Sequence, residues 1–326
     1  MIDVIIPAAG LGKRLRPITL SIPKVLLPVA DKPILGHILD RLKNLEIQEI
    51  TIVIGYLGNQ VVEYVMENYK GRKFRFVEQK DLLGLGHAVR LALKKKRTPV
   101  LIVLGDTIID VDYKKIINKG ENTIGVMEVE NPRRFGVVEV NGRKIVDLVE
   151  KSENPPSNLA IAGVYYFKDQ SLLKKGIDEI MKKGVKTKGE YQLTDAMRML
   201  IEKGVDLWIE PIDACYDCGT REALLESNRV LLNKFKTAIY SFKDSIIIPP
   251  VYIHPDADVR KSIIGPYVSI GANTIIEYSI IKDSIIDKNS TAREAIIKES
   301  LIGNNSHIRG SSVILEVGGY PSMDLA

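Results

Sequence analysis

The sequence predicts an α/β fold with a mainly parallel, mixed sheet, followed by a separate parallel β-helix. Through the first two hundred residues, short apolar runs alternate with stretches whose apolar positions recur at i, i+3 and i+4, the pattern of βαβ units. From about Ser245 the pattern becomes isoleucines stepping by five or six residues, too long for strand alternation and too regular for a helix. At 326 residues the chain also exceeds the ~100–200 residues of a usual domain, so two domains are expected.

Strands are predicted at Val4–Ile6, Ile50–Ile54, Phe74–Val77 and Val100–Leu104, and helices at Ile34–Leu45, Val61–Tyr69 and Ala88–Leu93. Around Gly136 the alternation breaks. Val137–Val140, then Asn141-Gly142, then Lys144–Val149 reads as a hairpin, because Asn-Gly supplies the positive φ angles of a type I′ turn. Helical periodicity returns at Leu193–Glu202 and Arg221–Leu232, with a strand at Asp206–Ile209 between them. In the tail, Ile264, Ile270, Ile276, Ile281, Ile286, Ala292, Ile297, Ile302, Ile308 and Ile314 fit a hexapeptide β-helix, each apolar residue stacking inside a triangular coil. Ser-Ile-Ile variants mark the step, the last at Ser312-Val313-Ile314, and roughly four coils are expected. The expected domains are residues 1–236 and 245–315.

Composition excludes several classes. Hydrophobic residues at 45% and charged residues at 27% are those of a globular chain, not a disordered one. No apolar run approaches the roughly 20 residues of a membrane span, and Met1–Pro7 enters a strand with no basic leader, so a cytoplasmic protein is expected. Cys215 and Cys218 have C-x-x-C spacing but neither a thioredoxin-like context nor a second pair to complete a zinc site. The net charge of +5 is uneven. Residues 237–326 hold 8 Lys and Arg against 10 Asp and Glu, leaving 38 against 31 in residues 1–236. That basic excess in the α/β part fits a phosphate-rich small ligand better than nucleic acid.

The first segment with chemistry is Pro7-Ala8-Ala9-Gly10-Leu11-Gly12-Lys13-Arg14-Leu15, directly after the first strand. Glycines let main-chain N–H groups approach a phosphate, and Arg14 can donate a forked pair of hydrogen bonds. Leu15 breaks a dinucleotide fingerprint and Pro7 breaks a Walker loop. Lys24 lies between Pro23 and Pro28, which stiffen its surroundings. Val100–Leu104 delivers Asp106 to the carboxyl end of a buried strand, where ligands of open α/β sheets bind. Asp217 precedes the helix starting near Arg221, as a second carboxylate for Mg²⁺ or as a helix cap.

Together Pro7-Ala8-Ala9-Gly10-Leu11-Gly12-x-Arg14, Ile22-Pro23-Lys24 and Asp31-Lys32-Pro33 resemble the signature of sugar-1-phosphate nucleotidylyltransferases. Gln79, Gly84-Leu85-Gly86-His87-Ala88-Val89, Val149-Glu150-Lys151, Pro156–Ile161 and Gly189-Glu190-x-Gln192-Leu193-Thr194-Asp195 look most like the UTP–glucose-1-phosphate uridylyltransferases. The resemblance covers about residues 1–236. It implies a Rossmann-like mixed sheet, the nucleotidyltransferase fold, and a left-handed parallel β-helix behind it.

It also implies roles. Arg14, Lys24 and Asp106 would be catalytic. Ala9, Gly10, Gly12, Lys13, Gln79 and Gly84 would bind the nucleotide, with Gln79 offering a donor and an acceptor to N3–H and O4 of uracil or thymine. Gly136, Glu150, Lys151 and Gly163 would face the sugar phosphate, and Asp106 with Asp217 would hold Mg²⁺. The expected substrates are a nucleoside triphosphate, UTP favoured, and a sugar-1-phosphate, glucose-1-phosphate favoured. Lys13 stands where the family usually has threonine, Gly105 where uridylyltransferases favour proline, and Cys215 where many thymidylyltransferases carry tryptophan. dTTP is therefore the alternative nucleotide. The attacking phosphate is ionised near neutral pH, so no covalent intermediate is expected. The tail, with His254 and His307, raises acyl transfer as an alternative, and a non-catalytic sugar-nucleotide sensor is a third. Its flat faces and open coil ends favour homo-oligomerisation.

Overall fold

The structure, a computed structural model, describes residues 1–234, 240–242, 244–310 and 316–319, and the backbone of 322–325. The expected boundaries at residues 236 and 315 and the repeat at Ser312-Val313-Ile314 lie outside the described residues. The chain divides into two compact units, one of residues 1–10 and 38–215, the other of residues 11–37 and 216–326.

The first unit is built on a nine-stranded mixed sheet. Its strands are β1 (Ile2–Pro7), β2 (Ile47–Ile54), β3 (Phe74–Glu78), β4 (Val100–Val103), β5 (Thr123–Glu128), β6 (Gly136–Asn141), β7 (Lys144–Glu150), β8 (Leu159–Phe167) and β9 (Trp208–Pro211), in spatial order β3-β2-β1-β4-β8-β5-β9-β7-β6. β1 to β4 run parallel, and β8 enters antiparallel between β4 and β5. All four residues of β4 are fully buried, which is why they read as an unbroken apolar run rather than an alternation. After helices α1 (Ile34–Arg41), α2 (Gly58–Asn68), α3 (Leu85–Ala92) and α4 (Tyr113–Asn118) come α5 (Gln170–Lys183) and α6 (Leu193–Glu202), and Ile5, Val53, Ile102, Phe167, Ile177 and Met197 belong to one core that joins these two to the sheet. Asp169 caps α5, its Oδ1 accepting from Ser171 N at 2.8 Å. Gly184 ends the same helix in a left-handed conformation at φ 68°.

The β6–β7 hairpin is present, but its turn is one residue later than the Asn-Gly pair predicts. Asn141 pairs with Lys144 as part of the ladder, and the loop is Gly142-Arg143, with positive φ at Gly142 alone. A single left-handed glycine thus reverses the chain where a type I′ turn would need two such residues.

In the second unit, three stacks of short parallel strands carry four, five and five strands among the described residues, one more on two sides than the four coils expected. Every predicted inward position from Ile264 to Ile308 is buried in a single apolar column. Along one stack Ile246 pairs with Ile263, Ile263 with Ile280, and Ile280 with Ile296, so the last of these coils is shorter by a single residue. The corners are made by residues at positive φ, including Asn273, Asn289 and Asn305 in one row and Lys261, Tyr278 and Glu294 in another. Helix α7 (Arg221–Lys234) belongs to the same unit, and its fully buried Asn228 ties the unit together. Asn228 Oδ1 accepts from Ala30 N at 2.7 Å and from Ser269 Oγ at 2.8 Å, while its Nδ2 donates to Tyr267 O at 3.3 Å. No apolar side chain could satisfy these three groups. Among the described residues no helix is long and apolar enough to cross a membrane.

Candidate active site

In the first unit, the site is organised by the carboxyl ends of β1 and β4. Gly105 N donates to Pro7 O at 3.1 Å, and a Cβ on Gly105 would lie 2.6 Å from that oxygen. Glycine is therefore required where uridylyltransferases favour proline, since proline has neither the N–H nor the room. The contact sets Asp106 beside the turn after β1. Ala9 is buried there, its carbonyl 2.7 Å from where a Cβ of Gly55 would stand, and Gly10 is exposed with open space at its α-carbon. Burial first, then the carboxylates of Glu150 and Asp106, raise the Tyr165 phenol well above its ordinary range. Sequence reasoning gave this buried tyrosine no role.

Glu150, the last residue of β7, pairs with Gly136 across the hairpin. A Cβ on Gly136 would be 2.8 Å from Glu150 Oε2, so this glycine makes room for the carboxylate. Glu150 Oε1 pairs with Lys151 Nζ at 3.1 Å, and Lys151 is held at φ 42° with its N–H on Phe135 O at 3.0 Å. Gly163, expected beneath a sugar, has φ 84° and would drive a Cβ to 2.9 Å from Leu104 Cδ1. Packing of Leu104 is thus the observed reason for that glycine.

Gln79 is buried, and its Nε2 donates to Gly84 O at 3.2 Å and meets His87 Nδ1 at 3.2 Å. Both amide hydrogens are engaged in this arrangement, which leaves Oε1, an acceptor suited to a base N–H. Gly84, at φ 109°, has no room for a Cβ beside Tyr191 O at 2.8 Å, and Gly86 N donates to the same carbonyl at 2.9 Å. The segment before α6 thereby closes against the Gln79 loop. Farther along it, Thr194 Oγ1 donates to Glu150 Oε2 at 2.7 Å and Thr187 Oγ1 donates to Asp195 Oδ1 at 3.1 Å. Burial, reinforced by the Glu150 charge against the Thr187 bond, raises the Asp195 carboxyl, whose Oδ2 has no partner among the described residues.

The second unit carries Lys13, Arg14 and Lys24. Gly12 is left-handed at φ 61°, and a Cβ there would stand 2.9 Å from Thr19 Cγ2 and 3.1 Å from Lys24 Cβ. Thr19 Oγ1 donates to Gly12 O at 3.0 Å, fixing the turn against the short helix Ile18–Leu20, and the buried Lys24 opens the next one. Lys13 and Arg14 are exposed. Over Gly219, a Cβ would lie 2.8 Å from both Arg14 Nη2 and Asp217 Oδ1, so glycine opens a cradle shared by the guanidinium and the carboxylate. Gly219 carried no role in the sequence reading. Arg14 and Asp217 are 203 residues apart in the chain, and no spacing pattern could have paired them.

Comparison with known proteins identifies the family. Residues 3–234 match the family model described as Nucleotidyl transferase, and residues 247–318 match the GMPPB C-terminal domain. The chain is 33% identical over 311 residues to the bifunctional protein GlmU of Methanocaldococcus jannaschii, spanning 88% of this chain and 74% of that protein. It is 30% identical over 286 residues to a glucose-1-phosphate thymidylyltransferase of Streptomyces griseus, spanning 84% and 79%. Among solved structures, a UDP-glucose pyrophosphorylase bound to UDP-glucose aligns with a TM-score of 0.61 at 26% identity, covering 72% of this chain and all of that one. The chain belongs to the nucleotidyl transferase family, within the sugar-1-phosphate nucleotidylyltransferases.

Proposed function

We propose that the chain transfers a uridylyl group from UTP to glucose-1-phosphate, releasing pyrophosphate and forming UDP-glucose. The observation that carries the base assignment is the Gln79 amide, whose oxygen remains to accept a pyrimidine N3–H. Thymine offers the same N–H, so dTTP is the second reading, and the likeness to a thymidylyltransferase supports it.

A sugar-1-phosphate oxygen attacks the α-phosphorus in line. The bond to the bridging oxygen of the β-phosphate breaks, and pyrophosphate leaves with the electron pair. Gly10 and Gly12 would present main chain to the phosphates, and Ala9, Lys13, Arg14 and Lys24 would line and neutralise them. Glu150 would accept sugar hydroxyls, Lys151 would meet the sugar phosphate, and Gly84, Gly136 and Gly163 would shape the walls.

Asp106 and Asp217 are assigned to Mg²⁺ through the resemblance. The donor chemistry fits. Mg²⁺ takes oxygen ligands, commonly one or two carboxylates with substrate phosphates, and among the described residues no cluster of three or more protein ligands forms a cage for a different metal. Asp217 Oδ1 moreover borders the cradle over Gly219 that any Cβ would fill. The ion would neutralise charge on the triphosphate.

Residues 1–236 are assigned to catalysis in the cytoplasm, and residues 245–315 to a left-handed β-helix that associates with other copies of the chain. Ile246, Ile280 and Ile296, at 59%, 44% and 52% exposure, form an outward row on one coil face and support that assignment. Light scattering is expected to return a multiple of the chain mass, and the double variant Ile280→Lys, Ile296→Lys to lower the subunit number. Pyrophosphate release measured across UTP, dTTP, GTP, CTP and ATP with glucose-1-phosphate tests the activity. Turnover is expected with UTP above dTTP and at background with the others; a purine nucleotide as best substrate would overturn the reading.

A further inference from the structure

We propose that Thr194 is a positioning residue for the sugar phosphate, holding the Glu150 carboxylate in the orientation that accepts sugar hydroxyls. This rests on the reading of Glu150 given above. Thr194 Oγ1 donates to Glu150 Oε2 at 2.7 Å, and both side chains are largely withdrawn from water. The other carboxylate oxygen faces Lys151 Nζ at 3.1 Å, a flexible ammonium 44% exposed. Threonine is therefore the rigid member of the pair, since β-branching restricts its rotamers and it sits in the first turn of α6. That turn is itself fixed. Leu193 is in the core, and the preceding Tyr191 accepts from Gly86 N at 2.9 Å and donates to Leu83 O at 2.8 Å.

The need for such a restraint comes from the neighbouring residue. Asp195, the residue after Thr194, is a second carboxyl, raised first by burial and, against the Thr187 bond, by the Glu150 charge. Like charges repel, so a carboxylate free to rotate moves away from a neighbouring acid unless a hydrogen bond holds it. Gly136 leaves space for the carboxylate at 2.8 Å from where a Cβ would be, but space alone selects no rotamer. A hydroxyl on the carboxylate oxygen does, because it fixes one direction for the group.

The test uses the full chain with UTP and glucose-1-phosphate and compares Thr194→Val, Thr194→Ser and Glu150→Gln. Valine keeps the shape and removes the donor; serine keeps the donor. The expected result is a rise of about tenfold or more in the KM for glucose-1-phosphate in Thr194→Val, with the KM for UTP within about twofold of the parent and Thr194→Ser close to the parent. Thermal unfolding reports whether the valine variant folds, and Thr194→Ala replaces it if it does not. Should Glu150→Gln leave the KM for glucose-1-phosphate unchanged, the Glu150 reading fails and this proposal with it. Should Glu150→Gln raise that KM while Thr194→Val leaves it alone, or raises both substrates' KM equally, the positioning role alone is overturned. Failure of serine to restore the parental value would likewise overturn it.

Discussion

Asp106→Asn is expected to lower the maximal rate of pyrophosphate release by about 10²–10³-fold while leaving the thermal unfolding midpoint within a few degrees of the parent. The substitution preserves shape and removes one negative charge from a residue only half withdrawn from solvent, so the fold loses little. The site loses much. Asp106 follows a strand whose four residues are all buried, and the Gly105 N–H on Pro7 O fixes the backbone just before it. A rate series over Mg²⁺ concentration separates two causes: a carboxylate that holds the ion shifts the half-saturating concentration upward, whereas a purely structural aspartate lowers the plateau at an unchanged midpoint. Near-parental turnover at limiting Mg²⁺ would remove Asp106 from the metal site.

Asp287→Asn is expected to stabilise the β-helix unit, and to do so more at pH 7.5 than at pH 4.5. Burial raises the Asp287 carboxyl from 3.8 to about 6, against the opposing effects of the Lys288 backbone bond and the Lys288 charge. Its Oδ1 accepts from Lys288 N at 2.7 Å, and its Oδ2 is buried without a partner among the described residues. The folded form therefore binds the proton more tightly than the unfolded form. Its contribution is fully present below about pH 4, falls as pH rises towards 6, and is flat above that. Asparagine lacks this titration, so its advantage over the parent should grow from about 1 kcal/mol at pH 4.5 to about 3 kcal/mol at pH 7.5. Urea unfolding of the two full-length chains at both pH values measures the difference. A constant difference would show that Asp287 ionises as freely when folded as when unfolded.

The two effects are not equally visible in the sequence. The strand before Asp106 is an unbroken apolar run because both its faces are covered, and such a run announces itself. Helix α6 is read to the residue, since Leu193, Ala196, Met197 and Leu200 repeat with helical spacing and all are buried. By contrast β8 was read only as part of a motif. Gly163 interrupts it at φ 84°, and its ladder with β5 shifts between Ile161 and Tyr165, so no strand periodicity survives. The Gly12–Lys24 neighbourhood was legible because the two are close in the chain and bracketed by prolines. Thr194 and Glu150 are 44 residues apart, Gly219 and Arg14 much farther, and only tertiary packing brings each pair together. Asp287 resembles any polar corner residue. Its peculiarity is a buried Oδ2 with no partner among the described residues, which a one-dimensional pattern does not record.

The stacked coils impose an arithmetic on how this part of the chain can change. Each strand is registered to its counterpart one coil away, and a left-handed residue recurs at every turn of one corner. A whole coil inserted or removed returns every later isoleucine to the interior and every later asparagine to its corner. One residue inserted within a strand does not, because it turns the following isoleucine outward and its polar neighbour in. The single-residue difference between coils shows where tolerance lies. Ile264 and Ile270 are six apart and their counterparts Ile281 and Ile286 five apart, yet all four are buried, so the corner between them absorbs the change. Length variation among versions of this unit should therefore come in complete coils, with isolated insertions confined to the bends.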